Sequence, residues 1–498
     1  MKKQLIILTA LLLPIAAMAG GDVCINGIYY DLDTVNKTAE VSKNQHYGGT
    51  EVIIAESFEV AGVTYRVTSI RKDAFNHCSS FTSLTIPNSV TRIGAYAFLC
   101  CKGITSVSVS KNVTTIGECA FSGCSGLTSM VVESGNAKYD SRNNCNAIIE
   151  TATNTLLFGC KSSIIADVTS IADYAFYEIE GMTAVSIPSS VVTIGKNNFS
   201  FCPDLESLTL ANGLTSVGEM SFYLCNLSSL TIPKSLTTIG SMAFVGSKSL
   251  ASAVVESGNP NYDSRNNCNC IIETATNTLL LGSKNCYIPD GIATIGLGSL
   301  YAYAGTTINI PGSVTKIENG GFTGCVNLST INIPNSVTNI GGSAFNGCTA
   351  LTSVTLSNNL ENISESLFAG CKSLTTLVIP DKVKSIGSSV FNGCTALSSL
   401  TCLATTPPIC NETTFSGFNQ STCTLSVLPG CKGAYQQADY WKEFFTIDEN
   451  TTKIDMLRSY SPAHTNIYNL EGLHQGSTRH GVNIVRMTDG TTRKVVVK

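Results

Sequence analysis

Ten phenylalanines mark out a fixed spacing along this chain: Phe75, Phe98 and Phe121, then Phe176, Phe199 and Phe222, then Phe322, Phe345, Phe368 and Phe391. Within each group the step is 23 residues, and the same unit returns around each marker. The stretch from Phe75 reads FNHCSSFTSLTIPNSVT and that from Phe345 reads FNGCTALTSVTLSN. Each gives Phe-x-x-Cys, an apolar residue, two small polar residues and an apolar-x-apolar triplet. So short a unit cannot bury its own apolar side. Stacked copies can, so the period implies a solenoid in which each rung touches only the next on either side. The 498 residues, which would otherwise suggest about three domains at roughly 150 residues each, then read as one elongated body.

The triplets alternate. Leu84-Thr85-Ile86-Pro87, Val185-Ser186-Ile187-Pro188 and Leu230-Thr231-Ile232-Pro233 each place two apolar residues inward and one polar residue outward, as a short strand does. The proline has no N–H to give, so it stops the ladder and begins a corner. Val90 and Ile93 supply a second apolar pair, Gly94 allows a turn, and Ala95 to Phe98 read as one short helical or 3-10 turn. Two marker steps are long: 55 residues from Phe121 to Phe176, and 56 from Phe244 to Leu300, a substituted marker. Both hold the same insert, VVESGNAKYDSRNNCNAIIETATNTLLFGC at 131–160 and VVESGNPNYDSRNNCNCIIETATNTLLLGS at 254–283. In each, two apolar pairs flank Thr-Ala-Thr-Asn, which predicts a β-hairpin standing off the regular stack.

The repeated pattern L-x-x-L-x-I-P-x-S-V-T-x-I-G-x-x-A-F-x-G-C resembles the BspA-like leucine-rich repeat of Bacteroidetes surface and secreted proteins over residues 70–402. The resemblance implies a β-rich repeat solenoid with terminal caps. Residues 20–69, with IYYDLD and GVTYRVTSI, are similar to that family's N-terminal leader rungs. Residues 403–447, with Pro429-Gly430, Tyr435 and Trp441, are similar to its closing segment. In the tail, 448–498, IYNLEG and GVNIVRMTDGTTRKVVVK resemble a small β segment that directs Bacteroidetes proteins to the outer surface; the alternative is a pair of strands that packs on the cap.

Residues 1–19 read as a secretory signal: Lys2 and Lys3, an apolar run from Leu5 to Ala16, then Ala17-Met18-Ala19. Its removal takes the formal charge from −4 to −6 by loss of those two lysines. No later stretch is long and apolar enough to predict a membrane span. Cys24 does not directly follow the signal, so no lipid anchor is expected. Charged residues are only 13% of the chain, about half the usual share. No basic patch predicts nucleic-acid binding.

Nine of the 21 cysteines, from Cys78 to Cys394, stand three residues after a marker. Stacking spaces them about 4.8 Å apart, within the Cα range of about 4.4–6.8 Å that a disulfide allows, but parallel side chains in a column bridge poorly. Ile179 and Ser247 replace cysteine at two rungs. The column is therefore expected to be buried thiol filling space, with no metal and no cofactor.

Neither H-E-x-x-H, a phosphate-binding loop, G-x-S-x-G nor C-x-x-C occurs. The strongest enzyme candidate is the duplicated YDSRNNC, with Asp140 and Arg142, Asp263 and Arg265, flanked by Glu133 and Glu256; facing carboxylates there could hydrolyse a glycoside. Asp-Ser and Asn-Asn are also turn formers, and Arg beside Asp makes a local pair. A non-enzymatic protein is expected, with these four residues as candidate insert contacts. The candidate binding face is the outward column of Thr85, Ser108, Ser186, Thr209, Thr231, Asn309, Asn332, Thr355 and Thr401, interrupted by Val131, Val254 and Val378. Short hydroxyls and amides can engage an extended ligand through many weak contacts, although a solvated sheet prefers such residues in any case. Tyr435, Tyr440, Trp441, Phe444 and Phe445 read either as a sugar platform or as a lid over the last rung. The family resemblance implies adhesion to host matrix proteins, mucosal surfaces or other cells through an unidentified protein or glycan ligand. A structural envelope protein is the alternative.

Overall fold

The computed structural model describes residues 22–165 and 167–449, with the backbone of four further strands at 464–468, 474–475, 481–487 and 492–497. The signal read at 1–19 lies outside the described residues. The chain winds into a β-solenoid of about 16 turns. Its regular rungs carry two strands each. The alternating triplets form one set of parallel ladders, such as Ala184–Ile187 on Ser207–Leu210, with Ser186 opposite Thr209. The second set consists of two-residue strands, Arg92–Ile93 on Thr115–Ile116 and Thr193–Ile194 on Ser216–Val217. Gly94 lies after one of them because the previous rung passes close by, and a Cβ there would run into the backbone N of Lys72.

The corner expected to make one short helical turn is a series of i→i+3 turns: Ala97 N–H donates to Gly94 O, Leu99 to Tyr96 O, and Cys101 to Phe98 O. Left-handed φ values at Tyr96 (58°) and Cys100 (54°) separate them. Later rungs place glycine at the equivalent of Cys100, for example Gly347 at φ 72°, where a side chain would be strained. Between turns, N–H groups reach forward to the next rung, as Phe98 N–H does to Ala120 O at 2.9 Å. The marker rings pile inside this corner. Phe176, Phe199 and Phe222 are near-parallel, with centroids 4.8 and 5.0 Å apart.

Marker-column cysteines do more than fill space. Each of eight thiols donates to the marker carbonyl one rung back, as in Cys101 to Phe75 O (3.1 Å), Cys225 to Phe199 O (3.1 Å) and Cys394 to Phe368 O (3.2 Å). The thiol thus gives a buried carbonyl a second partner at a corner where no ladder N–H can reach it.

The inserts form the expected antiparallel hairpins, Ala147–Glu150 with Thr155–Gly159 and Cys270–Glu273 with Thr278–Gly282. They do not stand off the stack. Thr155 and Leu156 pair in parallel with Ser170 and Ile171, so the hairpin's second strand is itself a rung of the ladder. The reason lies in its apolar content on both faces. Ile148 and Phe158 join the core built by residues 28–160, whereas Ile149 and Leu156 join the next core, which runs to Leu281. The second hairpin divides that core from the last in the same way, with Ile271 and Leu281 on one side and Ile272 and Leu279 on the other. A strand pair apolar on both faces has to be covered on both faces.

At the start, Asp22–Ile25, Ile28–Asp33 and Thr38–Val41 form an antiparallel meander that hands over to Val63–Ile70 and the ladder. At the other end, Thr376–Ile379, Ser399–Cys402, Thr424–Val427 and Thr446–Asp448 make a four-stranded parallel sheet. The four strands after residue 463 form an antiparallel sheet of their own, larger than a terminal strand pair.

Candidate functional site

Alternation along the triplet strands directs the middle residue outward. Thr85, Ser108, Ser186, Thr209, Thr231, Asn332 and Thr355 are all exposed, and the residues on either side of each are buried or half-buried. Ser186 pairs with Thr209 and Asn332 with Thr355 across the ladders, giving an in-register polar column. Asn309 is exposed too, although the extended stretch that carries it belongs to no strand. None of these eight side chains has a hydrogen-bond partner among the described residues.

Thr401 departs from the expectation. It is only 2% exposed, in a strand flanked on both sides, opposite Val378 and Ser426, and Ser426 is equally buried. Alternation fixes which way a side chain leaves the sheet but not what lies over it, so Thr401 drops out of the solvated column. At the other end the column gains a member that the triplet pattern missed. Ile53 pairs with Thr85 and is 55% exposed; the apolar run Val52-Ile53-Ile54 hid the alternation. Val131 and Val254, also exposed, stand at the start of the two inserts and divide the column into polar blocks.

The insert residues are bound locally. Arg142 grips Asp140 with Nε (3.0 Å) and Nη2 (2.8 Å), and its Nη1 donates to Asn154 Oδ1 at 2.9 Å. Arg265 repeats this with Asp263 and Asn277. Glu133 and Glu256 accept from the backbone N–H groups of Lys111 (3.2 Å) and Lys234 (3.0 Å), one rung back. Each carboxylate of the glycosidase reading is therefore engaged within its own insert or with the adjoining rung. These contacts join turns and adjoining rungs.

Of the aromatics near the end, Tyr435, Trp441 and Phe444 are buried. Trp441 and Phe444 meet the last marker ring, Phe415, edge-on at 5.3 Å. They close the stack as a lid, and only Phe445, 85% exposed, faces outward. One aromatic surface was not evident from the repeat pattern: Tyr174, Tyr177, Phe201 and Tyr223 touch in sequence along the corner at 5.5, 5.8 and 5.6 Å. They sit two before, one after or two after successive markers, so only the three-dimensional corner brings them into line. Among the described residues no group of three or more His, Cys, Asp or Glu side chains could hold a metal ion, and no helix is long and apolar enough to cross a membrane.

Stacked parallel rungs, an internal ring column and a solvated strand face define a leucine-rich-repeat solenoid, a fold suited to binding other proteins. Residues 56–155, 169–280 and 277–398, well over half of the chain, match the BspA type leucine rich repeat region (6 copies). This chain belongs to the BspA-type leucine-rich repeat family. Its fold is similar to that of a leucine rich cell surface protein from Faecalibacterium prausnitzii A2-165, at 24% identity and a TM-score of 0.50, covering 87% of this chain and 100% of that one. Similarity extends to the pneumococcal vaccine antigen PcpA (21% identity, TM-score 0.45, 87% and 99% covered). A leucine-rich repeat protein from Bacteroides ovatus ATCC 8483 also matches (23%, 0.35, 86% and 99%). No curated protein matches the sequence.

Proposed function

We propose that this protein is an exported recognition module that adheres, through its outward polar column, to an extended protein or glycan ligand on host or microbial surfaces. One observation carries the reading. Hydroxyls at the strand entrance, such as those of Thr105, Ser228 and Thr352, tie one rung to the next, whereas those of Ser186, Thr209 and Thr231 are exposed and unpartnered among the described residues. A ligand lying along the column would meet a repeating set of donors and acceptors whose individual contributions are small and whose sum is not. The resemblance to a cell surface protein supports placing it outside the cell, and the antiparallel sheet after residue 463 would serve retention there.

The test is binding of the purified protein to a panel of matrix proteins, mucins and glycans at two salt concentrations, beside the variant Ser186→Ala/Thr209→Ala/Thr231→Ala. Saturable, salt-tolerant binding to one class is expected. The triple variant should weaken it by at least about tenfold, since neutral hydrogen bonds contribute roughly 0.5–1.5 kcal/mol each. Unaltered binding by the folded triple variant would remove the column from the account. No binding by folded wild type would favour the structural envelope reading.

A further inference from the structure

The two inserts are near-copies offset by 123 residues, the step that carries Cys145 to Cys268. Two differences between them occur together. Ala147 of the first copy corresponds to Cys270 of the second, and Ser163 corresponds to Cys286. Both copies bring these positions side by side through the same backbone contact: Ile164 N–H donates to Cys145 O at 2.9 Å, and Tyr287 N–H donates to Cys268 O at 3.2 Å. In the first copy the Ser163 hydroxyl secures the junction by donating to Asn146 O at 2.5 Å. In the second, Ser283 N–H donates to Asn269 O at 3.1 Å, and Cys286 stands where the first copy has Ser163. The Cys270 thiol shares one buried cluster with Cys268 and Cys286. Its Sγ also lies 3.4 Å from Tyr287 O and 3.5 Å from Cys268 O. Cys270 is fully buried and Cys286 is 4% exposed. Gly282 leaves the room they need, since a Cβ there would stand 2.7 Å from Cys286 Sγ.

We propose that Cys270 and Cys286 form a disulfide when the protein folds under oxidising conditions, stapling the second hairpin to the segment that leads into the next rung. The Cys270 sulfur already lies beside the backbone of Tyr287, the residue after Cys286, which places the two cysteines as neighbours for an S–S bond of about 2.05 Å. Cys268 is not the partner assigned, because its counterpart Cys145 is present in the first copy without the other two. The reaction is thiol–disulfide exchange. One cysteine, as thiolate, attacks an acceptor disulfide and releases one thiol from it. The second cysteine, as thiolate, then attacks the mixed disulfide, releases the other thiol and closes the S–S bond. The acceptor gains two electrons and two protons, and the pair loses them. A low-molecular-weight or protein disulfide serves as acceptor. Cys270 is fully buried once the hairpin is covered, and burial disfavours a thiolate, so the exchange belongs to folding.

Peptide mapping of the full wild-type chain tests this without any variant. The chain is folded with oxidised glutathione, its free thiols are alkylated under acid quench, and it is digested with trypsin without reduction. Cleavage after Arg265, Lys284 and Lys316 places Cys268 and Cys270 in peptide 266–284 and Cys286 in peptide 285–316. The expected product is these two joined, two hydrogens lighter than their sum, with Cys268 alkylated and the first-copy peptide 143–161 unlinked to any other. Recovery of 266–284 and 285–316 separately, or a link confined to 266–284, would overturn the proposal. As a second readout, the variant Cys270→Ala/Cys286→Ser restores the first-copy residues. Reduction should lower the apparent Tm of wild type and leave that of the variant unchanged, and an equal response of both would count against the staple.

Discussion

Thr82 and Thr105 precede Thr85 and Ser108 by three residues, and both sets stack rung on rung, yet they serve opposite ends. The Thr105 hydroxyl donates to Thr82 O at 3.2 Å, and that oxygen also accepts the Thr105 N–H at 3.2 Å. Thr128 repeats the contact on Thr105 O at 3.1 Å, as does Thr352 on Ser329 O at 3.0 Å. A carbonyl has two lone pairs, and at the strand entrance the hydroxyl reaches the second. Three residues on, the same type of side chain points straight off the sheet and finds only solvent. Residue type is thus a poor guide to role here, and position within the rung is a good one. The entrance column is joinery, and the mid-strand column is left over.

The strongest way to break the comparison is to remove what supports both columns. Phe199→Ala deletes a ring stacked at 4.8 and 5.0 Å between its neighbours. It should cost about 3–5 kcal/mol, seen in denaturant unfolding and as accelerated hydrogen exchange across rungs 176–244. Protection unchanged there would mean that the ring column is not the core.

Alkaline titration should have the next largest effect. Burial pushes the Cys202 and Cys394 thiols from the ordinary 9.0 up to about 12. Above pH 9 the unfolded chain releases thiol protons that the folded chain retains, so the unfolded state binds fewer protons and stability falls as pH rises. The thiol contribution is fully present below pH 9 and is lost between about 9 and about 12. Chemical denaturation at a series of pH values measures this. A denaturation midpoint that does not fall across that window would contradict the buried-thiol column.

The period, the inward alternation and the marker rings are all legible in the sequence, because each repeats one residue type at one position and errors average out over many rungs. What lies outside the repeat is less legible. Ile148-Ile149 and Leu156-Leu157 announce a hairpin, but adjacent apolar residues on both faces also mean two cores to cover. Only the packing shows which cores these are. Cys101 reads as a small filler, whereas its bond to Phe75 O depends on a corner whose carbonyl direction is set by the left-handed residues around it. Thr401 fits the outward pattern and is buried, because alternation fixes the direction in which a side chain leaves the sheet and not what lies over it. The free column was readable as a direction, but its freedom from hydrogen bonds was not.

The most direct test of that column compares two single variants, Thr105→Val and Thr209→Val, for stability and for binding to whichever ligand the panel identifies. Thr105→Val should lose about 0.5–1.5 kcal/mol of stability and leave binding intact. Thr209→Val should stay within about 0.5 kcal/mol of wild type in stability and weaken binding several-fold. The reverse pattern, or equal effects of the two, would show that the joinery and the recognition face are not separate columns.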